Sequence, residues 1–241
     1  MLLGGLSISN NLSSLAINNS TLFATSVFSI NDLEPEVWLA FDSGQGAITD
    51  GIQWNDQSNN ENHASQTVNA QEGAFSSGVY RTDAGSNDNL DFSSQINLTG
   101  AYHVFMAINL SEQTNETFLS STNSSTSFMR LGQGSSTTMR LRQNTSSNQA
   151  DISMSVAFGT DLALIEVLRD SSNDIKIIRN STQVGTASSQ SGTFEANQIS
   201  AHSNGLSSAM INEVVIFSKS LTTDEATSVR NDIATRNSIS F

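Results

Sequence analysis

From about residue 36 onward the chain is a succession of short β-forming segments separated by clusters of Ser, Asn, Gly and Gln. Glu36–Phe41 is an apolar run, and Tyr102–Ile108 alternates bulky apolar side chains with small or polar ones, as a half-buried strand does. Thr117–Ser120, Ser127–Leu131 and Thr138–Arg142 follow at near-regular spacing. Ile152, Met154, Val156 and Phe158 share one face of a predicted strand, and Leu162–Leu168 reads as a strand buried on both faces. Asp174–Arg179 and Thr182–Thr186 read as a hairpin turning at Asn180-Ser181, and Ala209–Phe217 is the strongest late strand. The separators are turn formers. No helical patterns are interleaved with these strands, which excludes long parallel βαβ units and leaves an antiparallel β-sandwich or jelly roll. One helix is predicted over about 223–236. Thr222 and Glu225 form a capping box, and Ala226, Val229 and Ile233 make an apolar stripe.

Composition narrows the function classes. Only 14% of the 241 residues are charged, and Ser and Asn together exceed a quarter, so polar surface must come from neutral groups. The net charge of −13 argues against nucleic acid or an anionic membrane as partner. No run of about 20 apolar residues exists to insert into a membrane. The absence of Cys excludes disulfides and thiolate zinc sites. Met1–Gly5 lacks the positive and apolar regions of a secretory signal, so none is expected.

Residues 1–33 differ from the rest. No charge appears before Asp32, yet apolar residues recur among Ser and Asn. Two readings are open: an irregular first strand packed on its own domain, or an arm ordered by contact with a neighbouring subunit. We take 1–33 as the arm, with Leu6, Ile8, Leu12, Leu15, Phe23 and Phe28 as its contacts, and 34–241 as the folded domain.

Catalytic signals are missing. His63, His103 and His202 have no metal-ligand spacing, and Gly132-Gln133-Gly134 reads as a hairpin turn. A glycosidase needs two carboxylates flanking the scissile bond. Glu213 stands alone in its strand. Glu166 stands alone in an apolar run, where it reads as an edge-strand residue or, less simply, as a functional acid. No catalytic residue is assigned and no cofactor is expected. Asp42, Asp50, Asp56, Asp88 and Asp91 read as solvated loop acids, with a structural calcium as the alternative.

Three segments carry a family resemblance. The first is Val37–Asp42 followed by Ile52–Gln66, with Trp54, Asp56, Ser58, His63 and Ala64 in a Trp-x-Asp-x-Ser…His-Ala loop. Asn59 stands where Gly is usual, a substitution that positive φ tolerates. The second is Asn87–Phe92 leading to Thr99–Phe105, and the third is Met210–Glu225. Together they resemble the concanavalin A-like, laminin-G-like jelly roll over about residues 35–237. The resemblance implies an all-β antiparallel sandwich with one short C-terminal helix, preceded here by an extended arm. Such folds host lectins, hydrolases and plain structural modules, so the resemblance specifies fold more than function. The domain with an uncharged arm is similar to bacteriophage virion proteins. This implies a non-enzymatic capsid decoration, cement or tail/head-fibre component that contacts itself and other virion proteins, located on the virion. The alternative is a lectin-like module for host surface glycans, using Trp54, Asp56, Asn59 and His63; Trp38 and Trp54 themselves read as core or turn-packing residues, with an exposed sugar-stacking Trp as the other reading.

Overall fold

The computed structural model describes residues 28–82, 88–110, 115–121, 126–200 and 209–241, excepting the side chains of 145–147. The chain first passes through β1 (Val37–Leu39), β2 (Gln45–Ile48), β3 (Gly51–Trp54), β4 (Ala64–Gln66), β5 (Ala74–Ser76) and β6 (Val79–Arg81). Its middle supplies β7 (Asn89–Leu98), β8 (Tyr102–Leu110), β9 (Glu116–Ser120), β10 (Phe128–Leu131), β11 (Thr138–Gln143) and β12 (Thr145–Ser153). Then come β13 (Ala163–Arg169), β14 (Ile175–Arg179), β15 (Thr182–Ala187), β16 (Phe194–Ser200), β17 (Ala209–Phe217) and the helix α1 (Thr223–Asn237).

These strands form two antiparallel sheets. One has eight strands in the order β15-β14-β13-β8-β17-β6-β5, with β1 also paired to β17. The other has nine, in the order β12-β11-β10-β9-β16-β7-β4-β3-β2. Period-two alternation distributes the side chains. In β8, Tyr102, Val104, Met106, Ile108 and Leu110 enter the core between the sheets. Phe105 and Ala107 face the other way, into a second apolar cluster with Leu164, Val215 and Phe217. That cluster is roofed by Leu221, Ala226, Val229 and Ile233 of α1 and its approach. The eight-stranded sheet is therefore apolar on both faces. This is why Leu162–Leu168 shows no alternation in sequence.

The helix forms as expected. Glu225 N donates to Thr222 Oγ1 (3.3 Å), and Thr222 N donates to Glu225 Oε2 (2.8 Å), closing the capping box. The hairpin at Asn180-Ser181 also forms, both residues taking positive φ (46° and 65°), as a two-residue turn of this kind requires.

The start of the domain lies earlier than residue 34. Ile30–Leu33 is a turn of 3₁₀ helix capped by Ser29. Ile30 is buried in the second cluster, with Phe28 and Leu33 packed beside it. Phe28 was expected to contact another subunit; it lies against its own domain, because the helix leaves an apolar margin there. Leu6, Ile8, Leu12, Leu15 and Phe23 lie outside the described residues.

Candidate functional site

The loop after β3 is built around Asp56. Its Oδ1 accepts from Trp38 N (2.7 Å) and Ser58 N (2.9 Å). Its Oδ2 accepts from Ser58 Oγ (2.6 Å) and Asn62 N (2.9 Å). His63 Nδ1 accepts from Asp56 N (3.1 Å), and Asn62 Nδ2 donates to Glu36 O (3.0 Å). The motif that carried the family resemblance thus fastens β1 to the loop. Four donors occupy the Asp56 carboxylate, which leaves it little capacity for a sugar or a cation. Trp54 is fully buried, edge-to-face with Phe75, and its Nε1 donates to the carbonyls of Ala40 and Ser43 (3.1 Å each).

The burial of Trp54 fits its reading as a packing residue rather than a sugar-stacking one. The Trp54 ring has no free face, and Asp56 is an organising residue. His63 is half-buried beside it, and of the four only Asn59 is exposed. The left-handed residue in this loop is Glu61 (φ 55°), not Asn59. Among the described residues, no group of three His, Asp or Glu side chains could hold a metal ion. His202 lies outside the described residues.

Two glutamates are buried on the helix-covered face. Glu166 does not lie at an edge: β13 is flanked by β8 and β14. Its carboxylate accepts from Arg230 Nε (2.6 Å) and Nη2 (2.9 Å), a bidentate pair with the helix. His103 Nε2 approaches Glu166 Oε2 at 3.4 Å, without the alignment of a hydrogen bond. Burial works to raise the Glu166 carboxyl, but His103 and Arg230 outweigh it and hold the group below the usual range. Burial lowers His103 in turn, only partly offset by Glu166, and its ring stacks on Phe105 with centroids 4.1 Å apart.

Glu213 accepts from Trp38 Nε1 (2.9 Å), Arg236 Nη2 (2.5 Å) and Asn237 Nδ2 (2.7 Å). A bulge between Ile211 and Glu213 turns Glu213 to the same side as Val215 and Phe217. Both acids are committed to docking α1, and neither is presented to a substrate.

An open concavity lies elsewhere among the described residues. A pocket of about 400 Å³ is lined by Ser155, Val156, Arg179, Asn180, Ser181, Thr182, Val184, Ser240 and Phe241. The hairpin is fixed to the sheet by Asn180, whose N and Oδ1 pair with Leu164 O and N (2.9 Å each). Arg179 Nε donates to Phe158 O (2.8 Å), which anchors the guanidinium. Among the described residues no carboxylate lies within 4 Å of Arg179. Val156 (46%) and Phe241 (50%) are among the most exposed large apolar side chains. The site combines two exposed apolar groups, an anchored cation and a rim of hydroxyls and amides.

Sequence reasoning missed this site. Val156 was assigned to the buried face of a strand, but β12 ends at Ser153 and Met154 makes only a single bridge. Ile152 and Phe158 are buried while Val156 turns outward. An apolar residue in a loop, opposite an Asn-Ser hairpin, was the available signal.

No family model and no curated protein matches the chain. Solved structures with the same architecture do. The binding domain of Paraclostridial Mosquitocidal Protein 1 aligns with a TM-score of 0.57 at 11% identity, covering 82% of this chain and 52% of that one. The binding domain of botulinum neurotoxin DC in complex with SialylT gives 0.59 at 14% identity, covering 85% and 52%. The serotype D ligand-binding domain in complex with N-acetylneuraminic acid gives 0.58 at 12%, covering 84% and 51%. The chain spans about half the length of these relatives. The likeness at such identity is one of fold: the chain is a two-sheet antiparallel β-sandwich with a C-terminal helix, of the architecture found in these binding domains.

Proposed function

We propose that this chain is a non-catalytic carbohydrate-binding module, with the Arg179–Phe241 pocket as its ligand site. The pocket carries the reading. Its volume is that of a small-ligand cleft, generally about 300–1,000 Å³. Sugars present an apolar C–H face and a ring of hydroxyls. Phe241 and Val156 suit the first, while Arg179, Asn180, Ser181 and Thr182 suit the second. The rigid hairpin pre-organises these groups, which limits the ordering cost of binding. The similar binding domains include two solved with SialylT or N-acetylneuraminic acid, which supports testing sialylated glycans first. The burial of Glu166 and Glu213 beneath the helix supports a binding rather than a hydrolytic role. The assembly role expected of residues 1–33 falls largely on residues outside those described and contributes nothing to this reading.

A glycan array probed with the wild-type chain, Arg179→Ala and Phe241→Ala tests the proposal. Binding by the wild type and at least a tenfold loss in both folded variants is the expected result. Absence of any bound glycan, or binding indifferent to both substitutions, overturns it.

A further inference from the structure

The outer face of the nine-stranded sheet concentrates positive charge in an otherwise acidic chain. Of its 10 Lys and Arg residues, three meet on the β10–β11 ladder. Phe128 pairs with Arg142, and Arg130 with Arg140. Met129, Leu131, Met139 and Leu141 face the core, so these four face outward. The guanidinium carbons of Arg130 and Arg142 stand 4.7 and 4.8 Å from the Phe128 ring centroid.

Arg130 is the unusual member. It is 93% buried, its residue exposure being 7%. Its Nε donates to Thr117 Oγ1 (3.1 Å) and its Nη1 to Gln133 Oε1 (3.1 Å), both neutral acceptors. Its Nη2 is buried with no acceptor at all. Among the described residues, no carboxylate lies within 4 Å of it. Burial and the neighbouring Arg140 and Arg142 all disfavour its charge. Asp151 is engaged by Arg140 through two bonds (2.5 and 2.6 Å). Arg142 donates from Nε and Nη2 to Gln149 Oε1 (2.9 and 2.6 Å), so Arg130 Nη2 is the unmet donor of the three.

A second buried arginine sets the standard. Arg169, fully buried, donates to Leu98 O (3.1 Å), Gly100 O (2.6 Å), Gly192 O (2.6 Å) and Gln143 Oε1 (2.6 Å). This chain satisfies a buried guanidinium when that group is structural. Arg130 lacks such a set.

We infer that Arg130, Arg140 and Arg142 form an oxyanion site, which takes the carboxylate or sulfate ester of an acidic saccharide. Exchange of the Gln149 bonds of the half-exposed Arg142 side chain for the anion lets Arg142 turn and admits the anion to Arg130 Nη2. Arg142 and Arg140 then close over it from the opposite strand, and the planar forks suit bidentate contact. The saccharide part of this assignment rests on the proposed carbohydrate-binding role; the anion site itself does not, and it lies on a different face from the Arg179 pocket.

The test is calorimetric titration of the full chain with inorganic sulfate, a sulfated oligosaccharide, a sialylated oligosaccharide and the neutral parent of each. The proteins are wild type, Arg130→Met, and Lys219→Met as an exposed basic control. The site predicts that the wild type and Lys219→Met bind sulfate and one acidic saccharide. Arg130→Met, shown to be folded by circular dichroism, binds at least tenfold more weakly. Whichever acidic saccharide binds identifies the anion carried. Sulfate binding lost in Arg130→Met, without saccharide binding, keeps the anion site and overturns its saccharide assignment. Equal binding by Arg130→Met, or no anion binding by the wild type, overturns the site. A saccharide bound equally by wild type and Arg130→Met but weakened by Arg179→Ala is held in the pocket, and that result overturns the saccharide assignment of this site.

Discussion

The outer faces of the two sheets solve the problem of buried charge in opposite ways. On the eight-stranded sheet, α1 brings Arg230 to Glu166 and Arg236 to Glu213, so each buried carboxylate meets a cation. On the nine-stranded sheet, Arg130 is buried among neutral groups and two further cations. A charge that is satisfied within the chain is structural, and one that is left wanting is available for recognition. The same contrast appears between Arg169 and Arg130.

The largest expected effect lies on the satisfied face. Glu166→Ala leaves Arg230 and His103 without their shared anion beneath the helix. Breaking one side of such a pair typically costs about 3–5 kcal/mol. Urea denaturation followed by circular dichroism reads this as a lowered midpoint. A loss below about 1 kcal/mol would break the comparison, because the helix-covered face would then owe little to its ion pairs.

Acid probes the same cluster. His103 is held below the ordinary histidine range near 6.5, so the unfolded chain takes up its proton first. Its contribution is intact above about pH 6.5 and is lost as pH falls from there toward the folded value. Glu166 is depressed below the usual carboxylate range, and its contribution is lost at lower pH, as the folded carboxyl takes up its proton. Both act in the same direction. The slope contributed by one proton does not exceed about 1.4 kcal/mol per pH unit. Replacing His103 with Gln flattens stability below about pH 6.5 while leaving the lower carboxylate region in place. A profile unchanged by the substitution would remove His103 from the cluster's energetics.

How far this was legible in sequence depends on the source of each signal. The capping box at Thr222 and Glu225 is local, so it was read to within a residue. Ala209–Phe217 and Tyr102–Ile108 were legible because both faces or one full face are apolar, the latter strand running on to Leu110. β2, β3 and β16 were missed because Gln, Ser, Asn and Gly interrupt their apolar positions, and β5 because it is only three residues long. The partners of Glu166 were invisible for another reason: Arg230 is 64 residues away and joins it only when α1 docks. Trp54 and Asp56 stood out in the sequence, and in the structure they build the loop. Conspicuous residues in a fold motif are often those that hold the motif together.

A smaller and purely local effect comes from the cap of α1. Thr222→Ala removes the acceptor for Glu225 N and the donor to Glu225 Oε2 (2.8 Å). N-cap losses of this kind cost about 1 kcal/mol. Thermal melts should show a modest drop, well below that of Glu166→Ala. Equality of the two would mean that the cap, not the buried pair, limits helix docking.

The smallest net effect is expected on the unsatisfied face, and it sharpens the comparison most. Arg130→Met removes a buried cation with one unmade hydrogen bond and relieves its repulsion with Arg140 and Arg142. Against this stand two bonds to neutral acceptors and the Phe128 contact. A methionine of similar length keeps the packing, and exchanging buried charge for well-packed apolar groups is commonly neutral or stabilising. The expected change is within about 1 kcal/mol of zero, with a gain more informative than a loss. Glu166→Ala and Arg130→Met should thus differ several-fold in urea although both delete a buried charge. If Arg130→Met destabilised as strongly as Glu166→Ala, its partners in the folded chain would be sufficient, and nothing about Arg130 would be left for a ligand to supply.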